Sequence, residues 1–335
     1  MRIMLLEQQK MWLRCIAIGV VYVAAVAAAV THASAQAYPS KPIKIIVGAP
    51  AGTGPDIEVR QLVPQLSAEL GQPVVVENKP GLAGLIGAEL AAKAAPDGYT
   101  ILGATISNAA SHPRLYDRPS FNVEKDLVPI SLSIRHPWLL YVRGALPAAT
   151  FKDFIALAKS KPDTITFASN GIGGTQHLSM ELLQVMTGIK LKHIPYGTGP
   201  WSADLISGQI DSTAWPLITM TEHLQSGKIR ALAISNGGKP SDQAPGVPQF
   251  ADVGLPAFDM TVWAGLLAPA GTPKEIVDKL AAAAAKAAQG KAYREFAAKI
   301  GATAVGSTPA EFAAFLATER ARWKKVIADA GVKLE

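Results

Sequence analysis

Short runs of apolar residues alternate with longer stretches of helical periodicity along most of the chain. The runs have the length and the β-branched content of buried strands. In the stretches between them, apolar residues recur at the spacing of one helix face. Strand and helix patterns in alternation predict an α/β protein. The predicted strands cover residues 43–47, 74–77, 100–104, 139–142, 165–168, 191–194, 231–234 and 262–267, and the predicted helices cover 56–70, 84–95, 151–159, 176–186 and 201–207.

Proline and threonine positions refine these predictions. Pro64 lies past the first turn of the helix at 56–70, so a kink or a break is expected there. Two Thr-Pro-x-Glu sequences, starting at Thr272 and Thr308, are typical of capping boxes and predict helices over residues 273–289 and 309–330. The apolar residues of the second of these helices recur at helical spacing and predict a core-facing side made of Phe312, Phe315, Leu316, Trp323 and Val326.

The first 35 residues predict an export signal that is removed from the mature protein. Three basic residues precede an apolar run over residues 16–30, and the sequence Ala-Ser-Ala ending at Ala35 is typical of a signal-peptidase site. As a helix, that run would span about 22 Å, less than the ~30 Å hydrocarbon core of a bilayer. We therefore expect cleavage after Ala35 and a periplasmic protein. An uncleaved membrane anchor is the alternative.

Composition and missing motifs argue against several classes of function. Without the leader, the 32 basic and 26 acidic residues become 29 and 25, a net charge of +4. No long Lys/Arg block occurs, which argues against nucleic-acid binding. The only cysteine, Cys15, leaves with the leader, so neither disulfides nor thiol chemistry are expected. The sequence also has no His-Glu-x-x-His or Cys-x-x-Cys metal motif and no Gly-x-Ser-x-Gly nucleophile elbow.

A strand, a glycine-rich loop and a helix start follow one another at two places. The first loop spans residues 48–56, GAPAGTGPD, and the second spans residues 169–175, SNGIGGT. Glycines let the backbone approach a ligand closely, and the N–H groups at a helix N-terminus attract anions. Two such loops facing each other would hold an acidic ligand without any catalytic side chain. The pattern therefore favours binding over catalysis.

Several segments, in order, span nearly the whole mature chain and resemble one family: residues 38–43 (YPSKPI), the loop from Gly52 through Asp56 to Arg60, 71–81 (GQPVVVENKPG), 95–100 (APDGYT), 193–196 (HIPY), 204–211 (DLISGQID), 227–233 (GKIRALA), 268–273 (APAGTP) and Trp323. The chain resembles the Bug/TctC family, the extracytoplasmic solute receptors of tripartite tricarboxylate transporters. The resemblance implies a two-domain periplasmic-binding-protein clamshell (type II, Venus-flytrap) with two interdomain crossings. Domain 1 would be discontinuous, residues 36–135 plus 264–335, and domain 2 would be residues 136–263.

The resemblance also implies a function. A family member of this kind is a monomeric receptor, not an enzyme, and needs no metal or organic cofactor. It captures a small di- or tricarboxylate in the cleft and delivers it to membrane transporter subunits. Two alternatives stay open. The same clamshell serves receptors that report a ligand to a two-component or other signalling system. An exported hydrolase is the other alternative, because a catalytic triad can be drawn on paper from Ser169, Ser179, His177, His193 and Asp211.

The candidate ligand-binding residues come from both loops and from the strand ends near them. In the first loop we expect the N–H groups of Gly52, Thr53 and Gly54 to face a ligand carboxylate, whereas Asp56 is expected to brace the loop or cap the helix. For several of the others a structural role is the alternative, such as an N-cap, a hydrogen-bonded histidine or a core tyrosine. These other candidates are Ser107, Asn108, Ser169, Asn170, Gly173, Thr175, His177, Tyr196 and Asp211.

The chain departs from the family pattern at a few positions. Thr53 stands where the family usually has a second glycine, and no lysine follows Tyr196. Trp201 and Trp215 lie nearby in the sequence. Because the lysine is missing and two indole rings are present, we expect a ligand that is flatter or more apolar than citrate, such as an aromatic carboxylate. Placement of both tryptophans in the core is the alternative.

Overall fold

The computed structural model describes residues 38–111, 121–196, 199–217, 220–236 and 243–332, so the predicted signal peptide and its cleavage site lie outside the described residues. The strands are β1 (Ile43–Val47), β2 (Val74–Asn78), β3 (Thr100–Thr105), β4 (Leu127–Arg143), β5 (Thr166–Ser169), β6 (Lys192–Pro195), β7 (Ser212–Pro216), β8 (Ile229–Ser235), β9 (Thr261–Pro269) and β10 (Thr303–Ala304). The helices are α1 (Gly54–Leu70), α2 (Leu85–Ala92), α3 (Val123–Asp126), α4 (Phe151–Ser160), α5 (Thr175–Thr187), α6 (Trp201–Ser207), α7 (Thr221–Gln225), α8 (Lys274–Gln289), α9 (Lys291–Lys299) and α10 (Pro309–Asp329).

The strands form one mixed sheet in the order β2-β1-β3-β9-β4-β7-β5-β6, with β8 and β10 also paired to β4. β1 pairs in parallel with β2 and β3, and β5 pairs in parallel with β6 and β7. Helices connect the parallel strands, as parallel pairing requires. The expected α/β architecture is confirmed.

The long strand β4 belongs to both halves of the sheet. Its first part, up to Pro137, pairs with β9, and from Trp138 onward it pairs with β7 and β8. We call β1–β3, β9, β10 and the first part of β4 the first lobe. The second lobe consists of β5–β8 and the second part of β4. A single strand therefore runs through both lobes.

The core of the first lobe includes the inward face of α10. Phe312, Leu316, Trp323 and Val326 are buried and Phe315 is half-buried, which confirms the face predicted from the periodicity. The indole of Trp263 on β9 donates a hydrogen bond of 2.9 Å to the buried carboxylate of Glu319 on α10. Burial raises the pKa of Glu319, although the Arg322 guanidinium beside it acts in the opposite direction.

The two predicted capping boxes have different outcomes. At Thr308 the box forms: the hydroxyl accepts from the Glu311 N–H, and the Glu311 carboxylate accepts from the Thr308 N–H. At Thr272 the prediction is wrong, because that hydroxyl donates 2.7 Å to the carbonyl of Pro269 and α8 begins without a side-chain cap. A kink or a break was expected at Pro64: the break is absent, since α1 continues from Gly54 to Leu70, and a kink stays a prediction.

Six elements were not predicted: the short elements α3, α7 and β10, and the longer β7, α9 and first part of β4. β7 contains fully buried hydroxyl residues, which the apolar pattern does not mark as strand. The Ser212 hydroxyl donates to the carbonyl of Thr166 at the start of the neighbouring strand β5. The Thr213 hydroxyl donates to a carbonyl further along the same strand. Burial of these hydroxyls costs little because they are paired. In the first part of β4, irregular pairing between Pro129 and Ser131 interrupts the alternation.

Candidate functional site

A cavity of about 580 Å³ lies between loops of the two lobes, and we call it the cleft cavity. Its volume is within the range of about 300–1,000 Å³ that is usual for small-ligand sites. Its lining residues are Gly48, Ala49, Pro50, Pro55, Pro80, Gly81, Ala83, Gly84, Thr105, Ser107, Asn108, Asn170, Ile172 and Gly174.

The cleft cavity is built from segments that follow the carboxyl ends of parallel strands. Residues 48–55 follow β1, residues 80–84 follow β2, residues 105–108 end β3, and residues 170–174 follow β5. This is the edge at which open α/β sheets bind ligands. Helices α1, α2 and α5 begin beside these segments, so their first N–H groups have no intrahelical acceptor at this edge.

Among the described residues that line the cleft cavity, none carries a charged side chain. The polar lining consists of the Thr105 and Ser107 hydroxyls, two asparagine amides and backbone groups. No carboxylate would repel an anion, and no lysine or arginine would bind it through a full charge. The cavity therefore suits an anion held by N–H and O–H donors and by helix dipoles.

Asp56 organises the first loop. Its carboxylate accepts hydrogen bonds from the Gly52 N–H at 2.8 Å, from Arg60 Nε at 2.9 Å and from Asn78 Nδ2 at 2.8 Å. Burial by itself would raise the pKa of Asp56, but these hydrogen bonds and the Arg60 charge lower it to about 2. The carboxylate is thus ionised and fully occupied within the protein, which is the bracing role expected for it.

The other predicted donors of the first loop serve partly to shape the loop itself. The Thr53 hydroxyl donates to the Pro50 carbonyl at 2.7 Å, and the Thr53 N–H points to the same oxygen. Gly52, Thr53, Gly54 and Asp56 do not line the cleft cavity, whereas their neighbours Pro50 and Pro55 do. Direct contact of these four residues with a ligand stays a prediction.

Ser107 and Asn108 both line the cleft cavity where β3 ends. They begin a wide helical turn, Ser107–Ser111. The Asn108 side chain accepts from the Thr105 N–H at 2.8 Å and donates to the Gly103 carbonyl at 3.3 Å. The oxygen and the nitrogen of that amide therefore both bond to the backbone of β3. The Ser107 hydroxyl is the better placed donor for a ligand.

The second loop rests on a stack of three rings. The rings of His177 and His193 lie 4.0 Å apart between centroids, and Phe167 lies 4.8 Å from His193 on the stack. The Gly173 N–H donates to His177 Nδ1 at 3.0 Å. His193 Nε2 lies 2.6 Å from the Ser169 hydroxyl, which in turn accepts from the Gly171 N–H. Asn170 and Gly174 line the cleft cavity, and Thr175 is buried at the start of α5.

The surroundings of the two imidazoles differ in their hydrogen bonds and burial. Because His177 Nδ1 accepts a hydrogen bond from an N–H, the proton of its neutral ring lies on Nε2, which faces the Glu181 carboxylate at 3.4 Å. Burial and the neighbouring His177 lower the pKa of His193 to about 4. His193 is therefore uncharged at neutral pH.

Two further candidates are bound to protein partners. The Tyr196 hydroxyl donates to Asp204 Oδ2 at 2.6 Å, and burial together with that carboxylate raises the pKa of Tyr196 to about 12. The Asp211 carboxylate accepts from Arg143 Nε at 2.8 Å and from the Thr166 N–H at 2.9 Å. Neither residue lines the cleft cavity. Ligand contact by Tyr196 and Asp211 stays a prediction.

The constellation considered for a hydrolase is only partly assembled. Ser169 and His193 are in contact, but the Asp211 carboxylate pairs with Arg143 and Thr166. The Ser179 hydroxyl donates to the carbonyl of Gln176 on its own helix. A triad needs a serine, a histidine and an aspartate joined by hydrogen bonds. The hydrogen bonds of the Asp211 carboxylate go to Arg143 and Thr166 and not to His193, so these residues do not form one.

The two tryptophans stack on each other, with ring centroids 4.0 Å apart. Both are half-buried beside the core of the second lobe. Among the described residues, the lining of the cleft cavity includes no aromatic side chain. The lining of the cleft cavity therefore does not support the predicted aromatic platform of Trp201 and Trp215.

Sequence reasoning did not single out the segment after β2 as part of the site. Pro80, Gly81, Ala83 and Gly84 line the cleft cavity. Leu82 and Ala83 both have positive φ, 46° and 53°, which is uncommon outside glycine and clusters at functional sites. Its place in the chain could have indicated this role, because the segment follows a parallel strand, as the two recognised loops do.

The fold and the cleft cavity define the class: a two-domain periplasmic-binding-protein clamshell. Within the described part of the chain, no helix is both long and apolar enough to span a bilayer. Residues 58–332 match the family model described as the tripartite tricarboxylate transporter family receptor, TctC. The chain belongs to this family of periplasmic binding proteins, as its motifs indicated.

Individual relatives agree with the family match. The chain is 38% identical over 305 residues to protein BugT of Bordetella pertussis, covering 90% of this chain and 93% of BugT. The structure of the periplasmic binding protein BugD is 32% identical, with a TM-score of 0.73, over 89% of this chain and 100% of BugD. A structure of an R. palustris protein with adipate is 30% identical, with a TM-score of 0.75, over 88% of this chain and 99% of that chain.

Proposed function

We propose that this protein captures a small carboxylate in the cleft cavity and delivers it, unchanged, to the membrane subunits of a tripartite tricarboxylate-type transporter. The observation that carries the proposal is the cleft cavity itself. It lies at strand ends of both lobes, it has the size of a small-ligand site, and its lining holds polar donors without a charged side chain. The adipate in the R. palustris relative is a carboxylate of this class.

The available donors are sufficient for a useful affinity. Micromolar binding needs about −8 kcal/mol. A hydrogen bond to a charged group contributes ~1.5–3 kcal/mol, and a helix N-terminus adds ~0.3–2 kcal/mol. Three or four such contacts, reduced by the cost of ordering the ligand and the loops, reach that range. No single lysine or arginine is required.

A thermal-shift panel tests this proposal. The panel contains adipate, other aliphatic di- and tricarboxylates, amino acids, and benzene and pyridine carboxylates. A carboxylate at 100 times its Kd should raise the free energy of unfolding by about 2.7 kcal/mol, which raises the melting temperature of a chain of roughly 300 residues by about 4 °C. No stabilisation by any carboxylate would contradict the proposal.

A charge variant links any stabilisation to the cleft cavity. Ser107→Asp places a carboxylate in a cavity that has none, so it should repel an anion and remove most of the thermal shift. Ser160→Asp, at an exposed position at the end of α4, is the matched control and should keep the shift. An equal shift in both variants would place the binding elsewhere.

Export is the second part of the proposal. We propose a periplasmic location, with the signal peptide cleaved after Ala35, on the basis of the basic, apolar and Ala-Ser-Ala pattern of the leader. Amino-terminal sequencing of the protein recovered from the periplasm should begin at Gln36. A protein that starts at Met1 and sediments with membranes would contradict this.

The domain boundaries are part of the same proposal. The change of β4 partners between Pro137 and Trp138 supports a first boundary near residue 135. The return of the chain to the first lobe at β9, which begins at Thr261, supports a second boundary near residue 264. Residues 36–135 with 264–335, and residues 136–263, then form the two domains.

A further inference from the structure

A second and larger cavity, of about 1070 Å³, lies in the second lobe and shares no lining residue with the cleft cavity. One wall is α4, and the other walls are the end of α5, strand β8 and the loop that contains Gly246 and Leu255. We call it the α4 groove. Nothing in the carboxylate function uses it.

The floor of the α4 groove is apolar. Phe151, Ile155, Met186, Leu232 and Leu255 all line it. Phe151 and Leu232 are buried, and the Phe151 ring packs edge-on against Phe250 with centroids 5.7 Å apart. Met186 adds a flexible side chain that can adapt to different shapes. A volume of this size with a mostly apolar lining is typical of a site that buries the apolar body of a ligand.

Basic side chains outnumber acidic ones in the described lining of the α4 groove. Lys152 and Lys159 both line it. Seven residues apart on α4, they lie on nearly the same side of the helix and about 10 Å apart along its axis. In the described part of the chain, neither ammonium lies within ion-pair distance of a carboxylate, whereas Lys93, Lys274 and Lys325 each pair with an acid on their own helix.

The carboxylates near the α4 groove are already in use. Asp252, the acidic residue in its described lining, accepts a hydrogen bond of 3.0 Å from the Gln249 N–H in its own turn. Asp153, next to Lys152, accepts from the Thr150 N–H in the capping box of α4. These hydrogen bonds leave the carboxylates charged, so the described lining carries two ammonium groups against the one carboxylate of Asp252. The edge beside the apolar floor is therefore positive by one charge.

We propose that the α4 groove is a second ligand site, which takes an amphiphilic anion such as a medium-chain fatty acid. The apolar chain lies on the floor formed by Phe151, Ile155 and Leu255, and the carboxylate meets Lys152 or Lys159 at the edge. An uncharged apolar molecule would leave the ammonium groups unmatched. A small hydrophilic dicarboxylate would leave the floor unfilled. The combination of floor and edge selects a molecule with both parts.

Calorimetric titration with dodecanoate, below its micelle concentration, tests this proposal. Wild-type protein should bind one equivalent saturably. Lys152→Glu with Lys159→Glu should weaken that binding at least tenfold. Lys299→Glu with Lys324→Glu is the matched control, because it changes the net charge equally at two exposed lysines outside the α4 groove, and it should bind as wild type does. Equal weakening in both double variants would show non-specific charge attraction and overturn the proposal.

A steric variant tests the floor independently of charge. Ala156 lines the α4 groove and is exposed, so Ala156→Phe fills the groove without entering the core. It should abolish dodecanoate binding, whereas Ala317→Phe on the exposed side of α10 should not. The thermal shift by adipate or another carboxylate should be unchanged in Ala156→Phe. No saturable dodecanoate binding by wild type, or displacement of dodecanoate by the cleft carboxylate, would overturn the α4 groove as a separate site.

Discussion

One buried carboxylate, that of Asp56, holds the loop after β1 in its observed shape. It is 1% exposed and receives the Gly52 N–H, Arg60 and Asn78. The sequence suggested the bracing role because a carboxylate is a poor partner for an anionic ligand. It did not reveal Asn78, which lies on β2 and meets Asp56 only when β1 and β2 pair.

Asp56→Ala should lower the free energy of unfolding by ~2–4 kcal/mol, because a backbone N–H, an amide and a guanidinium lose the buried carboxylate that accepts from them. Carboxylate affinity should fall with it, since the loop loses its brace. Asp278→Ala is the control: Asp278 is also in an i,i+4 ion pair, with Lys274, but the pair is exposed and its loss should cost ~0–1 kcal/mol. Urea denaturation of both variants measures the difference, and equal losses would contradict the bracing role.

The histidine stack predicts a pH dependence of stability. The pKa of His193 is about 4 in the folded protein against an ordinary value of 6.5. The unfolded chain therefore takes up this proton first, and the free energy of unfolding should fall as the pH is lowered from about 6.5 to about 4. Allowing for the partial exposure of the ring, the loss should be ~1–2 kcal/mol.

Urea denaturation across this pH range measures that loss. His193→Gln should remove it, because glutamine keeps a polar group beside Ser169 but does not titrate. His223→Gln, on α7, should retain it. A profile unchanged by His193→Gln would assign the pH dependence to another group. Glu181 faces His177 in the same stack, so Glu181→Gln is a useful second comparison.

At the scale of elements, the same sequence motif behaves differently in two contexts. Thr308-Pro309-x-Glu311 forms a capping box, but Thr272-Pro273-x-Glu275 does not. Thr272 lies three residues after the last residue of β9, and its hydroxyl donates to the carbonyl of Pro269 in the turn that leaves the strand. Local preference thus predicted both helices, while the competing acceptor that decided the cap at Thr272 comes from the preceding strand.

The approach of two elements at the cleft cavity leads to a further prediction. A Cβ on Gly48 would lie 2.6 Å from the Cα of Gly84, at the start of α2, so Gly48→Ala would force the segments after β1 and β2 apart. We expect a loss of ~1–3 kcal/mol in stability and a loss of carboxylate binding, because both residues line the cavity.

Gly54→Ala is the matched control within the same loop. Its added Cβ meets nothing closer than 3.8 Å, and alanine favours the first turn of α1. It should keep both stability and binding. Thermal melts with and without the most stabilising carboxylate of the panel would measure both effects, and equal behaviour of the two variants would show that close packing at Gly48 is unimportant.

At the scale of the whole molecule, β4 runs through both lobes and α10 packs against the core of the first lobe. Phe312 on α10 is fully buried and lies edge-on to Trp263, with ring centroids 5.7 Å apart. Phe315, one turn further, is half-buried and approaches the same indole at 5.5 Å. These contacts support the scaffold and lie outside the lining of the cleft cavity.

Phe312→Ala should therefore cost ~3–5 kcal/mol of global stability, through lost burial and the cavity left behind. Phe315→Ala should cost less, because its ring is partly exposed. Carboxylate affinity should be close to wild type in both variants at temperatures where they are folded. Denaturant titrations and calorimetry test this, and a larger loss for Phe315→Ala would contradict the described core.

By itself, the sequence determined the α/β class, most strands to within two residues, the inward face of α10 and the family. These features depend on local periodicity, turn chemistry and contiguous motifs. Tertiary structure alone decided which donors are available at the cleft. The Thr53 hydroxyl, the Asn108 amide N–H and the Tyr196 hydroxyl donate to protein acceptors, while the segment 80–84, which the sequence did not mark, lines the cavity. The physical reason is that a hydrogen-bonding group can serve a ligand only if the folded chain leaves it unpaired and facing the cavity, and both conditions depend on residues distant in sequence.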